Sequence, residues 1–166
     1  GSREWEDDYG NTSGPYDYEI VGSGFKLGFG RPDATRFEIV SGSRNLTFES
    51  GYTVDATSFD LNWIFTGGSY RSTQATNTMG YFKFGIGSVV YETDDDTEVD
   101  SGFAARLGFG LIINMSETIE LSVGYEIESV ASSETYTYYN GWYNEEVTVT
   151  RSDTSSYVIV GAALRF

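Results

Sequence analysis

The chain lacks the two side chains that carry most nucleophilic and metal chemistry. Its 166 residues include no Cys and no His, which excludes disulfides, thiolate chemistry, His-containing metal sites and a Ser-His-Asp triad. Carboxylates are abundant, but no two of them stand out as a glycosidase pair. We therefore expect a non-enzymatic protein without metal or cofactor. A His-independent lipid-modifying enzyme is the remaining catalytic alternative.

Two segments could bind a ligand or a partner. Residues 94–100 carry carboxylates at alternating positions but lack the Gly and the closing Glu of an EF-hand, so we interpret them as an acidic, solvated loop. Around Asn140-Gly141, a type I′ turn signal, aromatic residues could form either a contact surface for a partner outside the cell or cross-strand pairs in an extended hairpin. These residues are Tyr136, Tyr138, Tyr139, Trp142 and Tyr143.

Overall charge and hydropathy exclude two further classes. The net charge of −15 opposes binding to nucleic acid, because phosphate would be repelled. No stretch approaches the ~18 consecutive apolar residues of a membrane helix. Gly, Tyr and Phe are frequent and Pro is rare, which favours sheet over helix.

The elements that would position these residues are β-strands, which the sequence predicts by an alternation of residue type with a period of two. Seven segments place large apolar residues at one parity and Gly, Ala or charged residues at the other. In residues 101–113 the apolar set is Phe103, Ala105, Leu107, Phe109, Leu111 and Ile113, and the other set is Gly102, Ala104, Arg106, Gly108 and Gly110. The remaining segments lie near residues 24–29, 36–39, 59–65, 81–87, 118–130 and 157–166.

Small residues at the second parity suit the crowded inside of a narrow barrel and make a poor solvated surface. The connections alternate between short ones, 31–34 and 114–118, and long polar ones, 41–58, 92–101 and 131–156, with residues 67–78 as an exception. This alternation is typical of membrane barrels. We therefore predict one all-β domain over residues 1–166, an antiparallel up-and-down transmembrane β-barrel with an apolar outside and a polar lumen.

The predicted lumen carries matched charges. Isolated charges would be costly there, so we expect them to form ion pairs that fill the barrel; a gate or narrow pore is the functional alternative. We expect Arg106 to lie inside the barrel, within ion-pair reach of at least one inward carboxylate from another strand, with Glu120 and Glu126 as the nearest candidates by sequence. The set is Lys26, Arg36, Lys83, Arg106 and Arg165 against Glu38, Asp60, Glu120, Glu126 and Glu128.

At this point the sequence resembles the small eight-stranded outer-membrane barrels of the OmpA/OmpX type. The resemblance rests on residues 102–110 with the turn into residues 119–125, and on the C-terminal segment 161–166. The terminal Phe166, with Leu164 and Gly161 before it, looks like the signal read by the barrel insertion machinery. The resemblance implies a bacterial outer-membrane location, a lipid environment, a closed barrel rather than an open porin, and roles from envelope anchoring to adhesion.

Function is less constrained than fold. The leading hypothesis is a structural or surface-interaction role in the outer membrane. The alternative from another class is a soluble lipocalin-like carrier with a small apolar ligand inside. The charged inner parity argues against that carrier.

Bacterial membrane barrels have an even number of strands, so the seven predicted strands require an eighth, which should precede Tyr18. Residues 1–17 are acidic and contain a Pro, so we interpret them as a loop outside the membrane. Three sources remain for the missing strand: residues 3–12 themselves, a second chain through oligomerisation, or a segment upstream. We expect residues 18–30 to pair with residues 154–166, directly or with a partner's help.

Overall fold

The computed structural model describes residues 1–30, 35–67, 77–93, 99–116, 118–139 and 144–164. Within these ranges every regular element is a β-strand. No helix in the described residues is long and apolar enough to cross a membrane. The strands are β1 (Ser2–Asp7), β2 (Thr12–Gly30), β3 (Thr35–Phe48), β4 (Thr53–Gly67), β5 (Asn77–Thr93), β6 (Val99–Asn114), β7 (Ile119–Tyr139) and β8 (Asn144–Leu164).

The eight strands form a closed ring in sequence order. Each strand pairs antiparallel with its neighbours in the chain, and β1 pairs with β8 to close the ring. The predicted all-β, eight-stranded antiparallel architecture is confirmed. We call the end with the β3–β4 turn, residues 49–52, the upper end, and the end with the β6–β7 turn, residues 115–118, the lower end.

The N-terminal segment is strand, so its interpretation as a loop was wrong. Ser2 lies opposite Asp17 of β2 on one side and Thr154 of β8 on the other. The carboxylates of Glu4 and Glu6 are exposed on the outer face, at the upper end, where their charge is solvated. The expected direct pairing of residues 18–30 with 154–166 was also wrong: in the described residues β2 and β8 are not paired with each other, and each pairs with β1 only in its upper part.

The strands are longer than the alternation of apolar residues indicated. Residues 41–58 were predicted as a long loop, yet β3 and β4 pair up to Thr47 and Thr53, leaving a connection of residues 49–52. Most of residues 131–156 likewise belongs to β7 and β8, which pair as far as Tyr139 and Asn144. Thr and Tyr, which favour strands, are frequent in this segment, but neither parity is strongly apolar, so the alternation of apolar residues does not mark it as strand. The turn predicted at 31–34 lies outside the described residues.

Alternation along each strand separates an inner from an outer face. On β4, Asp60 and Asn62 are buried in the ring, whereas Phe59 and Phe65 are exposed outside. The interior is not polar throughout. Apolar side chains fill its upper part, and Ile64, Met79 and Ile112 are buried near its lower end. The upper apolar cluster contains Tyr18, Leu46, Val54, Ala56, Val89, Tyr91, Ala104 and Val130.

Candidate functional site: the charged interior and the outer face

Charged side chains meet in the interior between the two apolar regions. We call this group the interior charge cluster. Its residues come from six strands, β2 to β7, and their charged ends lie within ion-pair distance of one another. The cluster contains Lys26, Arg36, Glu38, Arg44, Asp60, Lys83, Arg106, Glu120, Glu126 and Glu128.

Arg106 pairs with carboxylates from two other strands and is 4% exposed. Its guanidinium pairs with Asp60 from β4 and donates to Glu128 on the adjacent strand β7. The expected partners, Glu120 and Glu126, pair instead with Arg36 and Lys83. Glu128 lies directly opposite Arg106 in the β6–β7 register, which makes it the nearer carboxylate.

Inner glycines let charged side chains meet across an intervening strand. Lys83 of β5, Gly108 of β6 and Glu126 of β7 lie on one rung of the sheet. Lys83 Nζ pairs with Glu126 Oε1 over the glycine. A Cβ at position 108 would lie 2.9 Å from Glu126 Cγ and 3.3 Å from Lys83 Cε. The absence of a side chain at Gly108 is therefore what makes room for this ion pair.

The same arrangement recurs on β5. A Cβ at Gly87 would collide with Asp60 Oδ1, and one at Gly85 would collide with Asn62 Oδ1. Both β4 side chains therefore extend over β5 glycines toward β6, where Asp60 meets Arg106. The glycines predicted on the inner parity lack side chains and therefore leave room for the ion pairs to form.

At the lower side of the cluster, Arg36 joins two carboxylates. Its Nη2 lies 3.0 Å from Glu38 Oε1 and its Nη1 lies 3.0 Å from Glu120 Oε2. Lys26 Nζ is 3.5 Å from the same Glu38 oxygen. Lys26 is the most exposed member of these pairs, with 27% of its side chain accessible.

Three buried charges were missed from the sequence. Arg44 Nη1 lies 2.5 Å from Glu128 Oε1. Near the upper end, Arg3 forms a bidentate pair with Asp153, with Nε–Oδ1 and Nη2–Oδ2 distances of 2.5 and 2.7 Å. All three lie in segments interpreted as loops. The alternation of Arg3 and Trp5 with Glu4 and Glu6 was the available signal.

The Arg3–Asp153 pair fastens β1 into the ring. Tyr91 donates its hydroxyl to Asp153 Oδ2 at 2.7 Å, and the Arg3 guanidinium carbon lies 4.6 Å from the Tyr91 ring centroid. Strands β1, β5 and β8 thus meet at one buried contact above the interior charge cluster. Because Arg3 is paired with Asp153 inside and Glu4 and Glu6 are exposed outside, this acidic segment can form a strand.

The remaining predicted site residues have separate positions. Gly161 lies on the inner parity of β8 and Leu164 is exposed on its outer face; Arg165 and Phe166 lie outside the described residues. Tyr136, Tyr138 and Tyr139 belong to the β7 backbone, whereas Trp142 and Tyr143 are outside the described part. Of residues 94–100, positions 94–98 are likewise not described. In the described residues, no group of three or more carboxylates is arranged to hold a metal.

The outer face carries large apolar side chains in high exposure. Phe103, Leu107 and Phe109 on β6 are 59%, 54% and 59% exposed, and similar residues occur on every strand from β2 to β8. On β4 and β5, Trp63 stacks on Phe84 with ring centroids 4.9 Å apart. Water-exposed apolar surface of this extent is unusual for a soluble monomer.

Comparison with known proteins finds no family model, no curated protein and no solved structure that matches this chain.

Proposed function

We propose that this chain is an integral β-barrel of the bacterial outer membrane, with a non-enzymatic structural or surface-interaction role. The observation that carries the proposal is the distribution of residues between the two faces: exposed Phe, Leu, Val and Ile outside, and buried, ion-paired Arg, Lys, Asp and Glu inside. A protein surrounded by lipid needs this distribution, because only its interior can satisfy charges.

The height of the apolar belt agrees with a bilayer. On β6, outer apolar residues run from Phe103 to Ile113, which corresponds to about 34 Å along a strand that rises ~3.4 Å per residue. A strand tilt of ~40° reduces this to about 26 Å along the barrel axis, close to the ~25 Å apolar band of outer-membrane barrels. Sequential antiparallel strands in a ring also satisfy most backbone hydrogen bonds without water; the exception in the described residues is the stretch below β1, where β2 and β8 are not paired with each other.

The packing of the interior favours a closed barrel over a pore. The interior charge cluster lies between the upper apolar cluster and the buried Ile64, Met79 and Ile112. Water and ions crossing the barrel would have to pass both apolar regions. We therefore propose that the charges fix the barrel's shape and do not conduct.

The polar interior disfavours the soluble carrier, since an apolar ligand would meet Arg106, Lys83 and their carboxylates. A surface role has one described feature in its support. Near the upper end, Trp5, Tyr16, Phe48 and Tyr52 line an open cleft of about 300 Å³. Aromatic residues of this kind are frequent at contact surfaces.

Refolding tests the membrane part of the proposal. We expect the denatured chain to fold in detergent micelles or lipid vesicles and to migrate differently on a gel with and without boiling. Burial of each large outer side chain in the apolar phase is worth on the order of 1.5–3 kcal/mol. A folded, monodisperse sample in plain buffer would contradict the proposal.

A further inference from the structure

The ring is paired over its full height everywhere except beside β1. Strands β2 and β3 pair down to Gly30, and β7 and β8 pair down to Leu164. Strand β1 reaches only the upper part, ending at Ser2 opposite Asp17 and Thr154. Below it, no pairing joins β2 to β8 in the described residues. We call the two facing edges, residues 19–30 of β2 and 156–164 of β8, the seam.

Side-chain exposure marks the same gap. Val160 of β8 and Val123 of β7 are directly paired on the outer face, yet Val160 is 79% exposed and Val123 is 40% exposed. On the other edge of the seam, Val21 is 75% exposed. These valines lack a neighbour on one side. A cleft of about 420 Å³ opens at the top of the seam, lined by Gly1, Asp17 and Ser155 among others.

The seam leaves backbone groups without partners. Each edge of an antiparallel sheet presents alternate N–H and C=O groups, which readily pair with another strand. Closed barrels remove such edges, and in lipid they are not tolerated. In water such edge groups are hydrated, so the requirement for a partner strand rests on the membrane location proposed above.

We propose that the seam binds a further length of β-strand, supplied by an extended segment joined to the amino end of β1. The ladder already points into the gap: the Gly1 amino group donates to Tyr18 O at 2.8 Å, and Tyr18 N donates to Gly1 O at 2.9 Å. Because Ser2 lies opposite Thr154, the register places Gly1 opposite Ser155. Nine residues before Gly1 would then lie opposite Ser156–Leu164, one strand crossing.

The register also predicts the pattern of the segment. The residue immediately before Gly1, and every second residue further upstream, would face outward on the side of Val21 and Val158. These residues should be apolar. The others would face inward, where Gly24 and Gly161 flank the sixth residue before Gly1 and leave space. Lys26 Nζ lies 4.0 Å from where a Cβ of Gly161 would be, so a polar or acidic residue suits the inner side.

Disulfide trapping tests the proposal, since the chain has no Cys of its own. One variant carries Val160→Cys and nine added residues before Gly1, with alternating apolar and small polar residues and a Cys at the fifth position before Gly1, opposite residue 160. A matched control carries the same nine residues with the alternation shuffled and the Cys kept in place. A third variant carries Val160→Cys without any added segment.

We expect an intramolecular disulfide in the alternating variant and its loss in the shuffled control. We also expect exchange of alternate amides in residues 19–27, which face the nine added residues, to slow by about tenfold or more as new hydrogen bonds form. Equal trapping in both extended variants, or trapping in neither, would overturn the proposal. So would disulfide dimers of the unextended variant with residues 19–30 protected, because the occupant would then be a second copy. All three are measured on folded protein in detergent.

Discussion

The inner and outer faces of the ring come from alternate residues of the same strands, yet charged side chains are buried on the inner face and apolar side chains are exposed on the outer face. Arg106 is 4% exposed and bound by two carboxylates, while its neighbour Leu107 is 54% exposed and apolar. In a soluble protein these environments would be exchanged. The comparison shows that charged side chains are buried where the interior supplies ion-pair partners and space. Under the membrane location proposed above, lipid covers the exposed apolar side chains of the outer face.

The largest effect should come from breaking an inner ion pair. Arg106→Met leaves Asp60 without its partner and removes one partner of Glu128, so we expect a loss of about 3–5 kcal/mol in the free energy of unfolding. The double variant Arg106→Met/Asp60→Asn should lose less, because the orphaned charge is removed too. Urea unfolding in detergent of these two variants and of Asp60→Asn gives the coupling between the residues. A loss in the double variant equal to the sum of the two single losses would show that Arg106 and Asp60 are not coupled.

Placing the same charge one residue further along β6 sharpens the comparison. Leu107→Arg puts a guanidinium on the apolar belt, and we expect a cost of about 2–4 kcal/mol in lipid vesicles. The control, Thr135→Arg, lies on the exposed extension of β7 and should change stability by about 0–1 kcal/mol. The expectation fails if both variants unfold at the same urea concentration.

Glycines on the two faces should respond differently to the same methyl group. Gly108→Ala brings a Cβ against Lys83 and Glu126, and we expect a loss of about 1–3 kcal/mol from overpacking. Gly80 is exposed and has no atom within 4 Å of the corresponding position. Gly80→Ala should therefore be neutral or stabilise by up to about 1 kcal/mol. Thermal unfolding of the pair checks this, and similar shifts in both would refute the role given to inner glycines.

The smallest expected effect is a change in the pKa of Asp7, beside the β1–β2 turn, which belongs to neither the charged interior nor the apolar outer surface. Hydrogen bonds from the Asn11 side chain and backbone, and from the Tyr9 amide, lower the pKa of Asp7 below its ordinary value. The turn is therefore favoured above the unfolded pKa, and this contribution is lost as the pH falls through the folded pKa. Asn11→Ala should raise the Asp7 pKa, measured by NMR titration; an unchanged value would contradict the assignment.

Alternation alone was enough to predict most of the ring. The seven apolar-alternating segments are strands, and the parity of residues such as Phe59, Asp60 and Leu107 matches the two faces observed. Their periodicity is strong because one face is uniformly apolar. The upper portions of the strands carry Ser, Thr and charge on both parities, so no period stood out there.

The ion-pair partners could not be read from the sequence. Arg106 meets Asp60 from two strands away because Gly85 and Gly87 leave the space between them open, and only strand register reveals that. The strand β1 was missed for a related reason. Its acidic residues argue against a membrane-spanning strand. In the structure, however, Glu4 and Glu6 are exposed on the outer face at the upper end, and Arg3 pairs with Asp153 inside.

Fluorescence of Trp63 tests the central claim most directly. Trp63 lies on the outer parity of β4 and stacks on Phe84, and Trp5→Phe/Trp142→Phe would make it the single reporter. In vesicles that contain brominated acyl chains, we predict strong quenching of Trp63 and little quenching by aqueous iodide. Iodide quenching equal to that of free Trp, with no effect of brominated lipid, would show that the outer face does not contact the membrane.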